Sequence, residues 1–208
     1  MSLIDISQPL ASSTSVWPDD QPVEWSWTAE IGDTSVVNVG AMRLSMHAGT
    51  HADAPLHVDP EGCAIDALPL EAFVGPVHVV PIADGPIRPA HVAEVEARRV
   101  LFQTPYSQVA PTEWEPEAVC PVTPETVQAC AEQGVVLLGT DAPSVDPVDS
   151  KGLDAHHALC RHGIAWLENL HLSDVDPGLY ELIALPLRVE GGDAAPVRAV
   201  LRPDPASH

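Results

Sequence analysis

A mixed α/β fold in which strands outnumber helices is what this 208-residue sequence predicts, and three observations carry the prediction. Short runs rich in β-branched residues recur along the whole chain, as strands do. The 22 prolines are spread evenly between them, which suits many short elements joined by firm turns. Only three stretches carry the punctuation of a helix, and two of these lie in the second half.

In chain order, the first strand candidate is LIDIS (3–7). VEWSWTAE (23–30) follows, alternating in part as a half-exposed strand would, and then VVNVGAMRLS (36–45). VHVVPI (77–82) precedes a helix candidate at PAHVAEVEARR (89–99), which leads into the strand RVLFQT (99–104). The best-marked helix begins after Thr123, a capping residue, with Pro124 at the favoured first position. Gly134 can end it after Gln133. VVLLGT (135–140) follows it directly. The third helix candidate is DAHHALCRHG (154–163), closed by Gly163. IAWLENL (164–170), YELIALPLRV (180–189) and VRAVLR (197–202) complete the strands. Residues 1–208 read as one domain, of a length that can bury a substantial core.

Bulk composition excludes several classes of function. Thirty acidic side chains against nine basic ones give a net charge of −21. Binding a phosphate backbone or an anionic membrane surface needs clustered Lys and Arg, so neither nucleic acid nor membrane is an expected partner. The longest apolar runs fall far short of the roughly 20 residues of a membrane span. The start, MSLIDISQPL, lacks the basic and apolar regions of a secretory signal. Cys63, Cys120, Cys130 and Cys160 form no C-x-x-C pair and are read as reduced thiols. A cytoplasmic protein is the expectation.

The chemistry concentrates in SMHAGTHADAPLHV (45–58), where His47, His51, Asp53 and His57 fall within eleven positions. Imidazole nitrogen and carboxylate oxygen are the usual ligands of catalytic zinc. A lone H-x-x-x-H is a common chance pattern, whereas the full H-x-G-T-H-x-D-x-P-x-H string is far rarer. Gly49 and Pro55 speak against a long helix, so a turn or short helical piece is expected. Glycine there permits the backbone angles that let side chains converge. His47, His51 and Asp53 would make a three-ligand set, with His57 near enough to act on water or substrate. Elsewhere, Glu168 sits in an otherwise apolar run, where burial is costly unless the carboxylate is paired or bound to metal. The competing reading is an exposed strand end beside Asn169. His156 and His157 diverge by about 100° on a helix, so only one can face a given centre, and spacing does not choose between them. Asp141, Ser144 and Asp146 read as turn chemistry or outer support. His162 suits a helix C-terminus, while His78, His91, His171 and His208 have no visible partners.

The string HAGTHADAPLH resembles the signature of the cyclase family of metal-dependent amide hydrolases, best known from the bacterial kynurenine formamidases. LIDISQPL…SVWPDD, GTDAPSVDPVDSKGLDAHHAL, IAWLENL and ELIALPLRV…PVRAVLR extend the resemblance over nearly the whole chain. It implies a swivelling β/β/α domain and a centre of two Zn2+ ions, although Mn2+ or another divalent metal suits the same ligands. Carried over residue by residue, it implies His47, His51 and Asp53 at the first zinc, with Asp53 bridging to a second completed by His156 and Glu168. It further implies His57 as proton donor and acceptor, Trp17 as a substrate contact, N-formyl-L-kynurenine as substrate and a homodimer. On composition alone Trp17 reads as core sooner than as a substrate platform, because tryptophan supplies most of the aromatic packing. The chain departs from the resemblance at Asp19, where glycine is frequent, and at Ala195, where serine is common. Two alternatives share the scaffold: hydrolysis of a cyclic amide such as isatin, and a non-catalytic metal- or ligand-binding module. The presence of His57 counts against the second.

Overall fold

The computed structural model describes residues 2–203, so His208 lies outside the described residues. In chain order the strands are β1 (Ile4–Asp5), β2 (Glu24–Ala29), β3 (Val39–Arg43), β4 (His51–Asp53), β5 (Val74–Pro81), β6 (Arg99–Gln103), β7 (Leu137–Thr140), β8 (Ala165–Glu168), β9 (Gly178–Ile183), β10 (Ala194–Pro196) and β11 (Val200–Pro203). Two α-helices, α1 (Pro124–Glu132) and α2 (Asp154–His162), join them. Nine strands form one mixed sheet in the order β1-β11-β9-β5-β6-β7-β8-β4-β10. Its centre, from β5 through β8, is parallel, and both flanks are antiparallel.

Alternation along the central strands divides the core between the two faces of the sheet. Leu101, Leu137 and Leu167 point to one side, into a cluster with Phe73, Val77 and Leu182. Their neighbours Val100, Phe102, Leu138 and Trp166 point to the other, where Val127 and Cys130 of α1 and Ala155 and Leu159 of α2 cover them. The helices therefore lie on the face that carries Trp166, and this fixes the side on which α2 can meet β4 and β8.

The first helix forms as its punctuation predicts, with the Thr123 side chain accepting from the Thr126 N–H. The candidate at 89–99 is corrected: only Pro89–Val92 is helical, as a single 3-10 turn. The reason lies in Arg99, which belongs to β6 and whose buried guanidinium donates to the carbonyls of Ala72 (2.6 Å) and Glu71. A helix running to Arg99 would break that strand. The strands β2 and β3 pair only with each other, and Trp25, Trp27, Val39 and Met42 are exposed on this hairpin. Val23 at the start of VEWSWTAE is buried, but β2 itself has neither face buried, against the half-exposed strand that the alternation suggests.

Candidate metal centre

His51 and Asp53 lie on a strand, β4, and this corrects the turn or short helical piece expected for the string. Two residues apart on a strand, they share one face. Antiparallel pairing with β8 sets His51 opposite Glu168 and Asp53 opposite Trp166. One face of two strands therefore carries His51, Asp53, Glu168 and Trp166. The turns expected from Gly49 and Pro55 do form, at the two ends of the strand. Gly49 has φ +62°, and its carbonyl accepts from His51 Nδ1 at 2.9 Å, which turns Nε2 toward Asp53. Pro55–His57 makes a 3-10 turn that brings His57 back beside His47, ring centres 4.3 Å apart.

The structure brings all the ligand candidates together. His47 Nδ1 lies 2.9 Å and His51 Nε2 3.2 Å from Asp53 Oδ1. His156 Nε2 approaches Asp53 Oδ2 at 3.7 Å and Glu168 Oε1 at 3.6 Å, and Glu168 Oε2 lies 3.5 Å from His51 Nε2. His156 is the buried member of its pair, and His157 is turned away and half-buried. The exposed-strand-end reading of Glu168 fails, since it is 3% exposed. Asp193 joins them unannounced by the sequence: its Oδ2 lies 3.0 Å from His47 Nε2 and 3.7 Å from His57 Nδ1. No spacing signal ties GGDAAP to a histidine 146 positions away, because only the β4–β10 pairing joins them.

Two observations test whether a metal fits. His51 Nε2 and Asp53 Oδ1 are buried and make no well-directed hydrogen bond, although they lie 3.2 Å apart and His47 Nδ1 stands 2.9 Å from the same oxygen. Such orphaned atoms are expensive unless something is coordinated by them. Moreover, His47, His51 and Asp53 place their ligand atoms within 4.8 Å of one another, as do Asp53, His57 and His156. Asp53 is common to both groups, one oxygen facing each side. Nitrogen and carboxylate donors of this kind suit a divalent ion.

Burial opposes charge on His51, yet Asp53 and Glu168 outweigh it and push the imidazole up to about 10. His156 also reaches about 10, with burial overcome by Asp146 and Asp53. Burial would raise Asp53, but His51, His156 and His47 hold it well below the usual carboxylate range. His57 behaves differently. Burial lowers it below 6.5, and Asp53 offsets this only in part, so it is neutral at pH 7.

His47, His57, His156 and Glu168 of this cluster line a cavity of about 320 Å³. Trp17 lines this cavity and is 38% exposed, so it is not a core residue. Trp114 meets it edge to face, ring centres 5.1 Å apart, and lines the same cavity. Sequence reasoning missed Trp114, which lies between Glu113 and Glu115 in a segment without periodicity.

The chain is 57% identical over 213 residues to a kynurenine formamidase of Salinibacter ruber, covering 99% of this chain and 100% of the relative. It is 46% identical to a kynurenine formamidase of Paracidovorax citrulli, covering 96% of each. Among solved structures, a potential metal-dependent hydrolase with cyclase activity superposes with TM-score 0.81 at 25% identity over 96% of both chains. An isatin hydrolase bound to the product analogue thioisatinate shares the fold, with TM-score 0.82 at 23% identity over 97% of this chain and 92% of that one. With residues 4–147 matching the Cyclase family besides, this chain belongs to that family.

Proposed function

We propose that this chain is an arylformamidase that hydrolyses N-formyl-L-kynurenine to L-kynurenine and formate, a step of tryptophan breakdown, with residues 1–208 acting as one catalytic domain. The observation that carries the reading is the orphaned pair His51 Nε2 and Asp53 Oδ1, set among His47, His156 and Glu168, which line a tryptophan-walled cavity. The two nearly full-length relatives named kynurenine formamidase support the substrate.

His47, His51 and Asp53 would hold one divalent ion, and Asp53, His156 and Glu168 a second, zinc being our choice of metal. When bound, such ions supply Lewis acidity toward the formyl oxygen and lower the pKa of water to about 7. The remaining steps belong to the chain. His57 stands at the cavity with 31% of its side chain exposed, neutral at pH 7 because of its burial, and so is able to accept a proton from water. As the water oxygen bonds to the formyl carbon and the C–N bond breaks, that proton passes from His57 to the departing aniline nitrogen. Protonation matters there because an anilide ion is a poor leaving group. Trp17 and Trp114 form the wall against which the aryl ring would rest.

Hydrolysis of N-formyl-L-kynurenine before and after chelation, with metal content measured on the same sample, tests the reading. Chelator-sensitive turnover with about two ions per chain is the expected result. A metal-loaded protein that ignores this substrate but opens isatin would favour the cyclic-amide reading, which rests on the shared fold.

We also infer a cytoplasmic homodimer. Among the described residues no helix is long and apolar enough to cross a membrane. A two-stranded hairpin is marginal alone in water, and β2–β3 exposes two tryptophans, so a second copy is the cover we favour. Sedimentation of the protein and of a Trp25→Ser, Trp27→Ser variant tests this: a wild-type monomer would refute it.

A further inference from the structure

We infer that Val145 and Asp146 are positioning residues that build the outer support of the second metal position, the one lined by His156 and Glu168. The inference rests on the dinuclear reading above.

The segment Ser144–Asp146 lies buried between the end of β7 and the start of α2. The backbone N–H of Val145 donates to Glu168 Oε1 at 2.9 Å. Its carbonyl accepts from Val122 N at 2.8 Å, so the donor is anchored from behind. One oxygen of Glu168 is thereby fixed, and the other is left toward His51.

Asp146 handles the second ligand. Its carboxylate accepts three hydrogen bonds from α2: Ala155 N at 3.0 Å, His156 N at 3.1 Å and His156 Nδ1 at 2.6 Å. An ionised carboxylate can only accept, so Nδ1 of His156 must carry the hydrogen. Nε2 is then turned toward Asp53 and Glu168, and once a metal ion replaces its proton the carboxylate makes the imidazole a stronger ligand. The Ser144 hydroxyl accepts the Asp146 N–H at 3.1 Å and holds the turn. Two adjacent residues of one loop thus set two side chains of the same metal position, one from a helix and one from a strand. The His51 side is built differently, on the backbone carbonyl of Gly49. The two positions therefore have different outer supports, and they can be weakened separately.

A purely structural account competes. Leu153 precedes α2 with φ +45° and no capping side chain, and Asp146 caps the helix from outside. Asn caps about as well as Asp, and this separates the two roles. The test compares zinc-reconstituted wild type, Asp146→Asn and Asp146→Ala. It reads zinc per chain, both affinities by competition with a chromophoric chelator, and the thermal midpoint of the metal-free forms. Long-range proton–nitrogen spectra read the His156 tautomer.

In Asp146→Asn the expected result is a roughly 10- to 100-fold loss of affinity for one zinc. The other affinity should stay within about twofold, the metal-free midpoint should be nearly unchanged, and the His156 Nδ1–H signal should shift as its acceptor changes from carboxylate to amide. Asp146→Asn keeping both affinities, with only Asp146→Ala affected, would overturn the inference and leave the helix cap. Wild type that saturates at one zinc would overturn the dinuclear reading itself, a different outcome from two zincs that ignore the substitution.

Discussion

Trp166 Nε1 donates to Asp53 Oδ2 at 2.8 Å, across the β4–β8 pair in which the two residues stand directly opposite each other. The indole is 1% exposed and belongs to the core between the sheet and the helices. A core residue thus fixes the rotamer of the carboxylate that both ligand groups share. Trp166→Phe keeps most of the apolar volume and removes the donor. It should lower metal affinity roughly 10- to 100-fold and cost about 1–3 kcal/mol through the lost bond and the space left behind. Chelator competition and urea unfolding of the metal-free protein would check the two parts; wild-type affinity would mean that the strand alone orients Asp53.

Gly49 has φ +62° and holds His51 through its carbonyl. A Cβ added there would lie 2.8 Å from Leu10 Cδ2, the flexible end of a side chain. The contact can relax, but the left-handed backbone cannot. Gly49→Ala should therefore cost about 1–2 kcal/mol, and adding Leu10→Ala should not restore it. An unfolding series on the single and double variants decides between strain and contact.

His57 stands apart from the buried trio of His51, Asp53 and His156, since nearly a third of its side chain is exposed. His57→Ala should keep wild-type metal content while turnover of N-formyl-L-kynurenine falls about 10²- to 10⁴-fold. Near-full activity would remove it from the proton path.

The parts of this site legible in the sequence are those whose residues are close in the chain. His47 to His57 announce themselves by spacing, and Gly49 and Pro55 by their backbone preferences. Glu168 was legible as a carboxylate in an apolar run, because burying it demands a partner. The meeting of His51 with Glu168 depends on a strand register across 117 positions, which no local pattern encodes. Asp193 and Trp114 stayed hidden for the same reason. The fold class was readable from strand and turn signals, whereas the order of nine strands follows from long-range pairing. The helix expected at 89–99 failed because Arg99 has tertiary partners that outweigh helical propensity.

Asp141 offers a test away from the metal ligands. It is 1% exposed, and its carboxylate accepts from the Thr104 N–H (2.7 Å), the Thr104 hydroxyl (2.6 Å) and the Ser107 hydroxyl. Burial raises its pKa from 3.8 to about 6, and the three hydrogen bonds offset only part of that rise. The sign follows by linkage: the folded state holds the proton more tightly than the unfolded chain. The stabilisation is fully present below pH 3.8 and is lost as pH rises through about 6. Two units correspond to roughly 3 kcal/mol. In Asp141→Asn the uncharged amide keeps a similar shape, with its oxygen able to accept from Thr104 N–H and Ser107. Metal-free wild type should therefore lose stability relative to Asp141→Asn between about pH 4 and pH 6, with the difference level above pH 7. Urea midpoints of both proteins across that range would show it; a difference independent of pH would mean that the hydrogen bonds hold Asp141 at an ordinary carboxylate pKa.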